Sequence, residues 1–201
     1  MAYNEKTGNY VTPVGRLSFP VLDQPKPIGK NPKPGDTPKW QATILFDKAA
    51  QQTQDFKDLE AAVEKAISEK WGANRPRKVK SPLLTIDDLK NTVPAGYTED
   101  HVFIRLASAN PIGLVIRQPD GTLKRVDNPA EIKREFYAGC DVKVSVNVYA
   151  WKHDEGGCGV SFGLANVMKV GENEPFGATN ADAADDFGAP VTGGAADDFL
   201  G

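Results

Sequence analysis

The sequence predicts a mainly β fold with one long inserted helix and a separate tail. Three observations carry this reading. Residues 140–151, CDVKVSVNVYAW, alternate strictly: Val142, Val144, Val146 and Val148 face one way, and Lys143, Ser145, Asn147, Tyr149 and Trp151 the other. Phe56, Leu59, Val63, Ile67 and Trp71 recur at steps of three and four, the spacing of one helix face, with Gly72 placed to stop it. Beyond Lys169 no Lys or Arg occurs, and the last 17 residues, DDFGAPVTGGAADDFLG, set two Asp-Asp-Phe copies in a field of Gly and Ala that cannot build a core.

The remaining elements follow in chain order. Residues 10–22 form a strand in which Val14, Leu17, Phe19 and Val21 supply apolar content around Pro13 and Gly15. Residues 24–39, with five prolines and four lysines, form an extended exposed loop. Residues 39–47 return to strand, with Trp40, Ala42, Ile44 and Phe46 on one face. The long helix follows, and after it a basic run of Arg75, Arg77, Lys78 and Lys80. Residues 101–109 are a strand with His101, Phe103, Arg105 and Ala107 on its outer face and Val102, Ile104 and Leu106 toward the core. Residues 113–126 form a hairpin around Asp120-Gly121. Asn128-Pro129-Ala130-Glu131 starts a short helix: Asn128 caps, Pro129 suits the first position and Glu131 reaches back; Gly139 ends it. After the strand over 140–151, a Gly-rich turn leads to a last strand over 160–170.

Three strands, a short helix and two strands is the order of an OB-fold five-stranded barrel, with the long helix and the hairpin as insertions. A β-sandwich is the alternative, but it needs seven or more strands. The division is therefore a binding domain over residues 1–171 and an acidic flexible tail over 172–201. About 170 residues bury a proper core without metal or disulfides.

Net charge of −3 conceals a split. Seven of the 27 acids lie from Glu172 onward, where no base occurs; the remaining 20 face all 24 Lys and Arg, so the body carries about +4 and the tail −7. The two cysteines, Cys140 and Cys158, lack metal-motif spacing, and with two histidines a four-ligand zinc site is not expected. A Cys140–Cys158 disulfide is not favoured, because no secretory signal accompanies it. No apolar run reaches membrane-spanning length. No G-x-S-x-G, P-loop or HExxH occurs, so no enzyme and no cofactor is expected. Asp87, Asp88, Glu99 and Asp100 are the one acidic set a metal nuclease would need, and helix capping or solvation explains them better.

The binding candidates are rings interleaved with cations, as single-stranded nucleic acid requires: bases stack on rings while Lys and Arg follow the phosphates. Phe103, Arg105, Lys143, Tyr149 and Trp151 lie on the outer faces of their strands, and Trp40 sits at a strand start. The competing structural reading packs Phe103 under the inserted helix, has Tyr149 and Trp151 cover a barrel end, and puts Trp40 in the core or at the barrel rim. Three basic patches add to the set: Lys26, Lys30, Lys33 and Lys39 in the proline-rich loop, Arg75, Arg77, Lys78 and Lys80 after the helix, and Arg117, Lys124 and Arg125 on the hairpin. In the tail, Asp185, Asp186 and Phe187, and again Asp197, Asp198 and Phe199, pair charge with a ring and are the partner-binding candidates.

FYAGCDVKVSVNVYAW (136–151) followed by GVSFGLANVMKVGENEPFG (159–177), with TPVGRLSFP (12–20) and ATILFDK (42–48), resembles the bacteriophage single-stranded DNA-binding proteins. The resemblance covers most of residues 9–177. It implies an OB-fold that coats single-stranded DNA in phage replication, recombination and repair, without enzymatic activity or a required metal, in the cytoplasm of an infected bacterium. The tail resembles those that recruit replication enzymes such as a polymerase or helicase-primase. It departs from many of them in that Phe199 is followed by Leu200 and Gly201. A homodimer is compatible with this reading. The competing functions are an RNA-binding OB module and a non-catalytic scaffold whose tail alone acts.

Overall fold

The computed structural model describes residues 3–29, 31, 33–90, 92–154 and 157–177. Lys30 and the six tail candidates lie outside the described residues. The elements run β1 (Tyr3–Asn4), β2 (Asn9–Val11), β3 (Gly15–Lys26), β4 (Lys39–Phe46), α1 (Lys48–Gln51), α2 (Gln54–Trp71), β5 (Val102–Ser108), β6 (Gly113–Arg117), β7 (Leu123–Arg125), α3 (Pro129–Glu135), β8 (Asp141–His153) and β9 (Gly157–Gly171).

Five strands pair in a closed ring. The order is β8-β3-β4-β5-β9, and β9 pairs back onto β8 along nearly its whole length. All ring pairings are antiparallel except β5 with β9, where Leu106 lies beside Phe162. The hairpin β6–β7 continues on β9 beyond β5, and β2 continues on β8 beyond β3, with β1 outside it.

The core fills the inside of this ring. Leu17, Ile44, Phe46, Ile104, Leu106, Val142, Val144, Val146, Phe162, Leu164 and Val167 are all buried in it. The alternation in β8 is what commits its valines inward, and strand pleating then fixes the outward set. Helix α2 closes one side with Phe56, Leu59, Val63 and Ile67; the Phe46 and Phe56 rings meet edge-on at 5.5 Å. Thr53 caps α2 by accepting from the Phe56 N–H, and Trp71 packs half-buried at its far end. Ile132 of α3 and Phe136, just beyond it, join the same core.

Local signals set these ends as expected. Asn128 Oδ1 accepts from the Ala130 and Glu131 N–H groups, and Pro129 opens α3. Glu131 does not reach back to the cap; its carboxylate takes Lys124 at 2.6 Å. The strand expected over 10–22 is instead two. Thr12 is buried between them, donating its N–H to the Val144 carbonyl while its Oγ1 accepts from the Val144 N–H. The short strand β1 and helix α1 were not expected: each is too short for periodicity to register. Both cysteines are free thiols, and burial pushes the Cys140 thiol up to about 12. Among the described residues no helix is long and apolar enough to cross a membrane.

Candidate nucleic-acid interface

Outward-facing residues of β5, β8 and β9 line an open groove of about 630 Å³. Arg105 and Ala107 come from β5, Asn147 and Tyr149 from β8, and Ser161 and Gly163 from β9. Lys39 and Ile28 close it from the proline-rich loop side. Among the described residues two cations enter this lining and no carboxylate does, so its field favours an anion. Gly163 faces Asn147 across β8 and β9 so closely that a Cβ would collide with the Asn147 amide. A glycine here keeps the groove floor low.

Tyr149 is 49% exposed on the floor, opposite Ser161. A bare ring on a sheet surface is costly to leave in water and is suited to stacking. Trp151 behaves differently. Its Nε1–H donates to Ser161 Oγ at 2.9 Å, and the Lys80 ammonium stands 5.7 Å from its ring. It is half-buried at the groove end beside His153.

The basic run reaches the same end through pairing that spacing alone does not show. Lys80 donates its N–H to the Cys158 carbonyl and accepts from the Val160 N–H, adding a bridge beside β9. Arg77 and Lys78 lie exposed on this segment. Arg75 is turned away, paired with Glu64 of α2 at 2.9 Å. Lys26 ends β3 opposite Lys39, and Lys33 sits exposed in the following turn. Trp40 is half-buried near the start of β4, paired with Ser108, and is not among the residues that line the groove.

Several expected residues stand elsewhere. Phe103 is fully buried, not exposed. It lies on the outer face of β5, as its parity demands, but that face is covered: Tyr97 meets its ring at 5.2 Å, and Leu84, Ile86 and Leu89 pack around it. Lys143 is half-buried and paired with Asp55 of α2 at 3.3 Å. Lys124 is held by Glu131, and Arg125 by Asp127 at 2.8 Å. These hairpin cations and Arg117 lie beside the Lys169 end of β9, eight residues or roughly 26 Å along the strand from Ser161. Asn9, Asn110, Asn147 and Ser161 line the groove without having been singled out; polar side chains at outward strand positions carry no special sequence signal.

Two of the acidic set serve as a cap and an ion pair. Asp88 accepts from the Thr85 N–H, and Asp100 pairs with Lys48 at 2.7 Å. Among the described residues no group of three or more His, Cys, Asp or Glu is arranged to hold a metal.

A second outer feature binds residues 172–177 to the body. Phe176 packs in the Leu45–Tyr97–Phe103 cluster, with the Arg16 guanidinium 4.2 Å over its ring. Its N–H donates to the Ala138 carbonyl, and Arg16 also donates to the Gly139 and Glu174 carbonyls. Gly139, at φ 114, lies so close under Glu174 that no Cβ fits. Lys169, only 4% exposed at its side chain, pairs with Glu135 at 3.1 Å and Glu172 at 2.5 Å. Burial pulls the Lys169 pKa down, but these hydrogen bonds outweigh it and hold it above its ordinary value. The Lys169 hydrogen bond, with Arg134 and Tyr137 respectively, holds the Glu135 and Glu172 carboxyls below theirs.

The fold is that of phage proteins. The single-stranded DNA-binding protein from bacteriophage Enc34, solved in complex with ssDNA, superposes with a TM-score of 0.67 at 22% identity, over 86% of this chain and 91% of that one. Its C-terminal truncation gives 0.65 at 22% identity, over 85% and 90%. Gp2.5, a single-stranded DNA-binding protein encoded by bacteriophage T7, gives 0.56 at 13% identity, over 96% and 98%. Among curated proteins none matches the sequence significantly. The family model described as Enterobacter phage Enc34, ssDNA-binding protein, matches residues 9–200, and the chain belongs to that family.

Proposed function

We propose that this protein binds single-stranded DNA without catalysis, in the groove over β5, β9 and β8 of an OB-fold. The observation that carries the reading is Tyr149, an exposed ring on the floor of a groove whose charged lining, among the described residues, is Lys39 and Arg105. A base stacks on a tyrosine without regard to sequence, and two nearby cations take the adjoining phosphates. The strand ring, closed by one parallel pairing and carrying α3 between its third and fourth strands, supports the OB-fold assignment. Family membership supports the ligand. Arg77, Lys78 and Lys80 extend the phosphate path at the Trp151 end, with Lys26 and Lys33 beyond Lys39. The setting is the cytoplasm of an infected cell, in replication, recombination and repair. The acidic tail, through Phe187 and Phe199 with their aspartates, recruits replication enzymes.

Titration of the full chain with labelled oligo-dT, the matched RNA and a duplex tests this. Oligo-dT is expected to bind tightest, with affinity falling as salt rises. Tighter binding of RNA would make the chain an RNA module, and no binding even at low salt would leave a scaffold.

A further inference from the structure

The outer face of β9 is nearly bare along the groove. Gly159, Ser161 and Gly163 pair in turn with Trp151, Tyr149 and Asn147 of β8. A Cβ at Gly159 would come within 2.7 Å of the Trp151 ring, and one at Gly163 would strike the Asn147 amide. Trp151 and Asn147 therefore each lean across a glycine of the neighbouring strand. On the far side of Gly163 stands Ala107 of β5, so two adjoining strands present nothing larger than a methyl group there. Asn147, Gly163 and Ala107 all line the groove, and Tyr149 follows Asn147 by two positions on the same face of β8.

A second asparagine–glycine pair shows what sets Asn147 apart. Asn166 of β9 lies comparably close to Gly113 of β6, and its Oδ1 accepts from the Gly113 N–H at 3.2 Å. That amide ties two strands together. The Asn147 side chain is exposed, and its amide has no hydrogen-bond partner among the described residues. The glycine opposite gives it room to lie along the floor, and folding makes no use of its polar atoms.

An amide suits a nucleobase of any kind. Its Nδ2 donates and its Oδ1 accepts. The Watson–Crick edge of every base sets a donor beside an acceptor: N3–H and O4 in thymine, N4–H and N3 in cytosine, N6–H and N1 in adenine, N1–H and O6 in guanine. Half a turn about the last side-chain bond exchanges Nδ2 and Oδ1, so one amide matches either order. A carboxylate only accepts and an ammonium only donates, so neither could serve all four. Two residues along a strand span roughly 7 Å, which brings this amide to the rim of a base lying on the Tyr149 ring.

We propose that Asn147 holds the Watson–Crick edge of the base stacked on Tyr149, strengthening the contact without selecting a base. This rests on the single-stranded DNA reading of the groove.

The test uses the full chain, fluorescence anisotropy and thermal melting. The strands are oligo-dT, oligo-dC and an oligo-dT methylated at N3 of every thymine. Methylation removes the N3–H donor and blocks that edge, while the ring can still stack. The parent is expected to bind the methylated strand about fivefold more weakly than oligo-dT, the effect of one net hydrogen bond. Asn147→Leu is expected to lose about fivefold on oligo-dT and on oligo-dC and nothing on the methylated strand, with an unchanged melting temperature. Equal losses on all three strands would make Asn147 a shaper of the groove and overturn the proposal, as would no loss on oligo-dT. A loss on oligo-dT with none on oligo-dC would overturn the sequence-neutral role. If the variant melts early, the parent alone decides: equal binding of oligo-dT and its methylated form overturns the proposal. A parent chain that fails to bind oligo-dT sinks the groove reading itself. Binding that depends on Tyr149 and not on Asn147 sinks only this extension.

Discussion

Phe103 and Tyr149 are both aromatic residues on the outward side of a ring strand, yet one is sealed and the other bare. Phe103 sits under Tyr97, Leu84, Ile86 and Leu89, with Phe176 in the same cluster. Tyr149 has only the groove over it. The outer surface of the sheet is thus divided into a covered half that holds the chain's later segment in place and an open half free for a ligand. Alternation assigns a residue to a face; it does not say what else lies on that face.

The largest way to break the contrast is Phe103→Ala. Removing a fully buried ring is expected to destabilise folding by about 3–5 kcal/mol, read by denaturant unfolding. A fully stable variant with weakened DNA binding would return Phe103 to the groove. Tyr149→Ala should do the reverse, weakening oligo-dT binding by about 1–3 kcal/mol with an unchanged melting temperature. A melting temperature that falls with it would make Tyr149 a structural ring.

A smaller effect separates groove cations from paired ones. Lys39→Gln with Arg105→Gln should flatten the plot of log affinity against log salt by about 1.4, two single-strand phosphate contacts. Lys124→Gln with Arg125→Gln, on cations already neutralised and remote, should leave the slope where it was. Equal changes for the two pairs would place the phosphate path across the hairpin.

The smallest effect concerns the covered half. Glu135 and Glu172 have folded pKa values below the ordinary 4.5. Their stabilisation is therefore complete above that value and is lost as pH falls through the lower folded values. Lys169→Met should remove this acid-dependent part of the melting curve. An unchanged pH profile would mean that the Lys169 pairs do not hold residues 172–177 to the body.

Much of the fold was legible because its signals are local. The valines of β8, the apolar stripe of α2, the Asn128 cap and the Asp120-Gly121 turn each act through neighbours within one element. The site was legible in part. Arg105 and Tyr149, which line the candidate groove, stand out through ring-and-cation alternation on a strand, and Lys39 through the lysines of the proline-rich loop. Lys143 was not distinguishable from them, since its partner Asp55 lies 88 residues away on α2.

The sequence by itself determined the longer strands, the long helix, the inward faces and the opposed charges of body and tail, all of which follow from periodicity and composition. The tertiary structure decided which outward residues remain open. Covering a face requires segments far apart in the chain: Tyr97 and Phe176 over Phe103, Asp55 beside Lys143, Lys80 along β9. Those contacts depend on how the ring closes, and no spacing within a single strand encodes them.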